Sequence, residues 1–167
     1  MKHHWRYEKI LTLKQAEEKS VELKAAGKTI VTNNGSFDIL HAGHLDLLEE
    51  AKQQGDILFI GLNSDSSIQN EKGTSRPFIT AEQRAAMLAA LACVDFVVII
   101  DAPYSQVQDI LIKTVKPHVH VNGLDYGPPE TWIEWPVMLE VGSRAHGVER
   151  RPNLATTDLV KKIKAST

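Results

Sequence analysis

One cysteine, Cys93, stands among 167 residues, so no disulfide can form within the chain. Its place in an apolar run from Leu88 to Val94 reads as a buried, inert thiol. A marked charge of either sign is also missing, because 19 Lys and Arg against 21 Asp and Glu leave −2. A dedicated nucleic-acid binder needs a basic face, so no nucleic-acid partner is expected. Nowhere do about 18 apolar residues follow one another, and Met1 to Arg6 lacks the apolar core of a signal segment. Membrane spanning and secretion are therefore not expected, and the reading is cytoplasmic. Cys93, His118, His120 and His146 lack the paired spacing of a structural zinc site, and no structural metal is expected. No repeat, low-complexity linker or shift in composition divides the chain. What remains, 43% hydrophobic and 24% charged, suits one compact domain with small ligands.

Strand and helix patterns alternate along it. A leader, residues 1–27, carries a helix predicted over 12–26, opened by the capping-box pair Thr12 and Gln15 and closed by Gly27. The main domain is read as 28–167. Strands are predicted at 28–33, 57–63, 96–101, 119–122 and 148–150, with β-branched apolar runs suited to burial on both faces. Helices are predicted between and after them at 43–54, 80–91, 105–115, roughly 130–146, and 156–164. Thr80 with Gln83 and Ser105 with Gln108 repeat the capping-box pattern. Strands separated by helices imply crossovers and a parallel sheet, so the expected fold is an α/β, Rossmann-like, doubly wound five-stranded sheet in a single domain.

Ligands of such sheets bind beyond the carboxyl ends of the strands. The first predicted strand runs into Asn34-Gly35-Ser36-Phe37-Asp38-Ile39-Leu40-His41-Ala42-Gly43-His44. Gly35 permits close approach of backbone to a ligand, and Gly43 leaves room where a side chain would intrude. His41 and His44 project from the start of the following helix, beside N–H groups that favour an anion. Taken alone, the pair also fits a metal half-site or a coincidence of surface residues. Three more segments reach the same edge: Asn63-Ser64-Asp65, then Asn122-Gly123-Leu124-Asp125-Tyr126, then Arg150 through Ala155-Thr156-Thr157. Each has the composition of an ordinary turn as well. Thr156 reads equally as an anion-binding hydroxyl and as a plain helix cap. Lys72-Gly73-Thr74-Ser75-Arg76-Pro77, with Gln83 and Arg84 after it, describes either a loop that folds over a charged ligand or a solvated loop. Trp132 and Trp135 suit a core, a subunit interface or the wall of a pocket.

The run from Phe37 to His44 resembles the HxGH signature of the nucleotidyltransferase superfamily, in its cytidylyltransferase-like branch. The order of Asn63-Ser64-Asp65, Lys72-Gly73, Arg76-Pro77 and Gln83-Arg84 resembles the heptose 1-phosphate adenylyltransferases of that branch, and so does the leader helix. The resemblance implies transfer of AMP from ATP, carried with Mg²⁺, to a sugar 1-phosphate with release of pyrophosphate. It implies that His41 and His44 hold the departing phosphates, that Lys72, Arg76 and Arg150 neutralise charge, and that Gly123 and Asp125 face base and ribose. Asn34, Gly35, Ser36, Phe37, Asp38, Gly43, Asn63, Asp65, Asn122, Ala155, Thr156 and Thr157 complete the expected nucleotide and acceptor contacts. Asp38 would orient a histidine, help to place the metal, or only stabilise the turn. A homodimer is implied in the same way. Three departures stand out: Ser36 replaces a Cys, Ala155 replaces a Ser, and Asn122 and Leu124 depart from Lys-Gly-Gly-Asp, Asn122 at the lysine. They keep two alternatives open, a cytidylyltransferase acting on CTP and glycerol 3-phosphate or a similar alcohol phosphate, and a nucleotide-binding module without turnover.

Overall fold

In a computed structural model, residues 4–149 and 156–166 are described. Six parallel strands make one sheet: β1 (Ile10–Leu11), β2 (Ile30–Gly35), β3 (Ile57–Asn63), β4 (Phe96–Ile100), β5 (Val119–Gly123) and β6 (Arg144–Val148), in the order β1-β4-β3-β2-β5-β6. The central strand β3 shows why these runs pair. Leu58, Ile60 and Leu62 point into one core and Ile57 and Phe59 into the other, the two-residue alternation of a strand covered on both faces. On the first face the sheet is covered by Leu47, Leu48 and Ala51 of α2 (Ala42–Gln53) and by Ala85, Leu88 and Ala89 of α4 (Ala81–Ala89). On the second, Ala16 of α1 (Leu13–Ala25) and Val107, Leu111 and Val115 of α5 (Val107–Val115) do the same. Gly61 sets how closely α5 lies on β3, since a Cβ there would come within 2.9 Å of the Leu111 side chain.

The α/β parallel architecture is as the sequence predicts, with one strand more than the five expected. Ile10 and Leu11 pair with Val97 and Val98 of β4, so the leader contributes the sheet's edge strand before its helix begins. A two-residue strand carries no period to read. Thr12 then caps α1 with the reciprocal capping box expected of it, its hydroxyl accepting from the Gln15 N–H at 3.2 Å. The other two predicted boxes do not close. Thr80 is the N-cap of α4 without a side-chain bond. Ser105 sits in a 3-10 turn (Tyr104–Gln106) ahead of α5, and the Gln108 amide donates to its carbonyl at 2.6 Å.

Two further differences bear on the site. The stretch 130–146, expected as one helix, divides into a 3-10 turn (Pro129–Thr131), the short helix α6 (Trp135–Val141) and β6. Prolines at both helical starts and Gly142 at φ 75° explain the division. The last strand consequently lies at Arg144–Val148, meeting the expected 148–150 at Val148. Between β3 and α4 lies α3 (Asp65–Lys72), which the sequence did not announce, because Ile68 is its only buried apolar side chain and gives no amphipathic period. Ser64 nucleates it by accepting from the Ser67 N–H at 3.1 Å. The C-terminal helix α7 (Thr156–Ala165) completes the described chain.

Candidate active site

At the carboxyl end of β2 the chain turns sharply. Phe37 adopts φ 45°, a left-handed conformation uncommon outside glycine, and its ring is buried to 4% exposure. That ring fills the space beside Gly35, where a Cβ would stand 3.0 Å from it, and packs on the His44 ring at 5.2 Å. His41 is the extended N-cap residue of α2 and His44 lies in its first turn, its N–H donating to the His41 carbonyl at 2.9 Å. The two imidazoles stack with centroids 3.8 Å apart and planes inclined by 24°. Both line a cleft of about 480 Å³, with Gly43 between them in the helix. A stacked imidazole pair at a helix N-terminus gathers donors and a positive dipole end within the reach of one phosphate chain.

The cleft's cations come from α3 and the segment after it. Lys72 ends α3, with Nζ 3.2 Å from the Ser36 hydroxyl and 4.9 Å from the centre of the Tyr104 ring. Arg76 donates to Asp38 Oδ2 at 2.7 Å and lies over the Phe78 ring at 4.3 Å. The other Asp38 oxygen accepts from the N–H groups of Phe78 at 2.7 Å and Ile79 at 3.2 Å. Buried to 6% exposure, Asp38 thus pins the Arg76–Ile79 stretch against the histidine turn. Of the readings open for this carboxylate, turn stabilisation matches its contacts, and the loop beyond Lys72 is fastened at its far end.

Arg84 lies beneath the cleft, not on it. Fully buried, it donates from Nη1 to the carbonyls of Ser36 at 2.6 Å and Asn63 at 2.9 Å, from Nε to Ile79 O at 2.8 Å, and from Nη2 to Asp65 Oδ1 at 2.6 Å. It ties the ends of β2 and β3, the start of α3 and the stretch held by Asp38. Asp65 is therefore engaged with Arg84 and lines neither this cleft nor its neighbour.

The opposite strand ends supply another wall. Asn34, Asn122 and Thr156 line the cleft, and the Thr156 hydroxyl donates to Ile39 O at 3.5 Å, bringing the start of α7 to the histidine turn. Asn122 uses its own carbonyl to accept from the Gly123 N–H at 2.9 Å and its amide to donate to Glu134 Oε1 at 2.7 Å. His120 Nε2 lies 3.3 Å from the same Glu134 oxygen, and His120 Nδ1 lies 2.8 Å from the Thr32 hydroxyl. Burial pushes the Glu134 carboxyl up, but the His120 contact and charge, a backbone N–H and the Asn122 amide outweigh it and hold the group below its ordinary value. Sequence reasoning passed over Glu134 and weighed His120 only as a metal ligand; their signal is a charged and a titratable residue set in apolar surroundings. Gly123 is buried, and Asp125 is exposed in a 3-10 turn (Leu124–Tyr126); neither lines either cavity. Leu124 folds over Gly147, where a Cβ would come within 2.3 Å of it. Asn63 lines the neighbouring cavity. Arg150 and Ala155 lie outside the described residues, as does the side chain of Thr157. Trp132 is buried, its indole donating to Gly127 O at 2.8 Å.

Among the described residues no cluster of three His, Cys, Asp or Glu side chains could cage a metal, and no helix is long and apolar enough to cross a membrane. With Asp38 committed to Arg76 and two N–H groups, the cleft fits a divalent ion that arrives on phosphate oxygens and keeps its waters, as Mg²⁺ does.

A cationic cleft at the carboxyl ends of parallel strands, with paired imidazoles at a helix start, defines a nucleotide-handling α/β protein. The chain belongs to the cytidylyltransferase-like family, whose model matches residues 33–166. It is 38% identical over 167 residues to the bifunctional protein HldE of Syntrophotalea carbinolica, a match covering 98% of this chain and 33% of that protein. The HldE of Geobacter metallireducens is 45% identical over 140 residues, 84% of this chain and 28% of that one. The chain thus spans about a third or less of the length of these relatives. A lipopolysaccharide core biosynthesis protein from Thermoplasma volcanium superposes with a TM-score of 0.58 at 27% identity, over 75% of this chain and 98% of that one. A pantoate–β-alanine ligase from Francisella tularensis, at 16% identity and a TM-score of 0.64 over 93% of this chain and 76% of that one, shares the fold.

Two outcomes follow from the clamps. Arg84→Met leaves three carbonyls and Asp65 without their shared donor and should lower unfolding free energy by about 3 kcal/mol, read from urea denaturation. Asp38→Asn should raise hydrogen exchange at the Phe78 and Ile79 amides about tenfold, since a charge-assisted acceptor is lost. Unchanged exchange there would mean that the stretch is held by something else.

Proposed function

We propose that the protein transfers AMP from ATP to a sugar 1-phosphate, a heptose 1-phosphate in the first instance, and releases pyrophosphate. The observation that carries this is the cleft's charge layout: stacked His41 and His44 at the start of α2, in one cavity with Lys72 and Arg76. The HldE relatives and the likeness to a lipopolysaccharide core biosynthesis protein support a sugar phosphate as acceptor.

An oxygen of the acceptor phosphate attacks the α-phosphorus in line. The new P–O bond forms as the bond to the bridging α,β-oxygen breaks, and the electron pair leaves with pyrophosphate. No protein nucleophile is needed, so the side chains act by position and charge. His41 and His44 hold the departing β- and γ-oxygens. Lys72 and Arg76, with Arg150, neutralise the charge that moves onto them. The start of α7 at Thr156 offers N–H groups to the same chain of phosphates. Mg²⁺ enters on the triphosphate as part of the substrate.

His44→Ala should lower kcat by about 10²-fold while the dissociation constant for ATP changes far less, because charge grows on the leaving group only during transfer. Pyrophosphate release is the deciding assay, run with ATP or CTP, Mg²⁺, and heptose 1-phosphate or glycerol 3-phosphate. Release from ATP with the heptose 1-phosphate is expected. CDP-glycerol formation with no use of ATP would replace this reading by the cytidylyltransferase one, and nucleotide binding without any release would leave a binding module.

A further inference from the structure

Past Asn34 and Asn122 the cleft continues into a second cavity of about 400 Å³, and its chemistry changes sign. The two share Asn34, Gly35, Tyr104, Asn122 and Tyr126 as common wall. All the histidine, lysine and arginine side chains of the pair line the first. Among the described residues, the charged side chains of the second are both carboxylates, Glu71 and Glu134. Around them stand the amides of Asn63, Gln108 and Asn122 and the ring of Trp132.

Glu134 is built into this wall. It is 2% exposed, and one oxygen takes both the Asn122 amide at 2.7 Å and the contact with fully buried His120 at 3.3 Å. His120 is itself fixed from behind by Thr32 at 2.8 Å. A carboxylate so supported cannot swing away from an incoming group. Facing a cavity with no cationic side chain among the described residues, it repels a second anion and accepts a hydrogen bond from a hydroxyl. Gln108 is held in turn, its amide nitrogen donating to Ser105 O at 2.6 Å, and its carbonyl is a further acceptor.

Phosphates belong in the first cavity, on the reading of this site as a transferase with a phosphorylated acceptor, on which the following inference rests. The remainder of the acceptor then meets the carboxylate-lined side. We propose that the second cavity receives the body of the acceptor, and that Glu134 selects an uncharged, hydroxyl-bearing ring there while excluding acceptors with a second anionic group. The aromatic rings at the boundary suit the C–H faces of such a ring, and the amides and carboxylates suit its hydroxyls. Asn122 is then a positioning residue, holding Glu134, where the related pattern carries a lysine.

The test compares two acceptors in the ATP- and Mg²⁺-dependent pyrophosphate assay: D-glycero-β-D-manno-heptose 1-phosphate and mannuronic acid 1-phosphate, which keeps the ring but carries a carboxylate. Wild-type kcat/KM should favour the neutral sugar by tenfold or more. Glu134→Gln should raise the KM for the neutral acceptor several-fold, leave the KM for ATP within about twofold, and bring the ratio between the two acceptors close to one. Equal use of both acceptors by the wild type overturns the inference alone, and that comparison holds even if the variant does not fold. An unchanged ratio in a folded Glu134→Gln protein overturns it too. Turnover of neither acceptor with ATP or CTP overturns the transferase reading first, and the inference with it.

Discussion

A single buried guanidinium holds the site together. Burying an arginine costs several kcal/mol unless its donors are met, and Arg84 meets that cost with three backbone carbonyls and one carboxylate. Those acceptors lie at or beside the ends of structural elements: Ser36 follows β2, Asn63 closes β3, Asp65 opens α3 and Ile79 precedes α4. The planar fork of an arginine fits this task, since its donors diverge in fixed directions that a lysine ammonium cannot reproduce. Through α3 the clamp also fixes where Lys72 emerges, and through Ile79 it meets the second clamp, Asp38. The cations of the cleft therefore stand on a scaffold fastened from below and from the side.

What the sequence made legible is local chemistry with a short range. Gly35, His41 and His44 were readable because strand, turn and helix start follow one another within a few residues, and Thr12 with Gln15 because a capping box spans one helical turn. Partners distant in the chain were not readable. Arg84 looked like one more basic residue for a ligand, and only the fold reveals that its acceptors are backbone carbonyls from three other segments. Glu134 and His120 lie 14 residues apart on a strand and beside a helix, a spacing with no pattern attached to it. The strand β6 was hidden for a different reason, since two prolines and Gly142 broke a stretch whose composition otherwise passes for one helix.

The departure at Asn122 illustrates how a lost charge reads differently in three dimensions. Along the sequence it is a missing cation at a strand end that faces the ligand. In the fold its amide is a donor to a buried carboxylate that an imidazole contacts at the same oxygen. Leu124 is likewise absorbed, lying across the bare backbone of Gly147. The Asn122 change is met by Glu134 in the same wall, so it alters what the cavity prefers without opening a gap in it, while Leu124 lines neither cavity.

Among the described residues, the two cations of the cleft are unequal. Arg76 already shares its charge with Asp38, and that partner also grips two N–H groups, so Arg76 contributes a reduced and stationary field. Lys72 rests on neutral partners, a hydroxyl and the face of an aromatic ring, and keeps its full charge on a flexible stem. An arriving phosphate chain meets one cation that is part of the wall and one that can leave its resting place at small cost. The electrostatic potential of the pocket can thus be retuned from a single corner as negative charge migrates along the substrate.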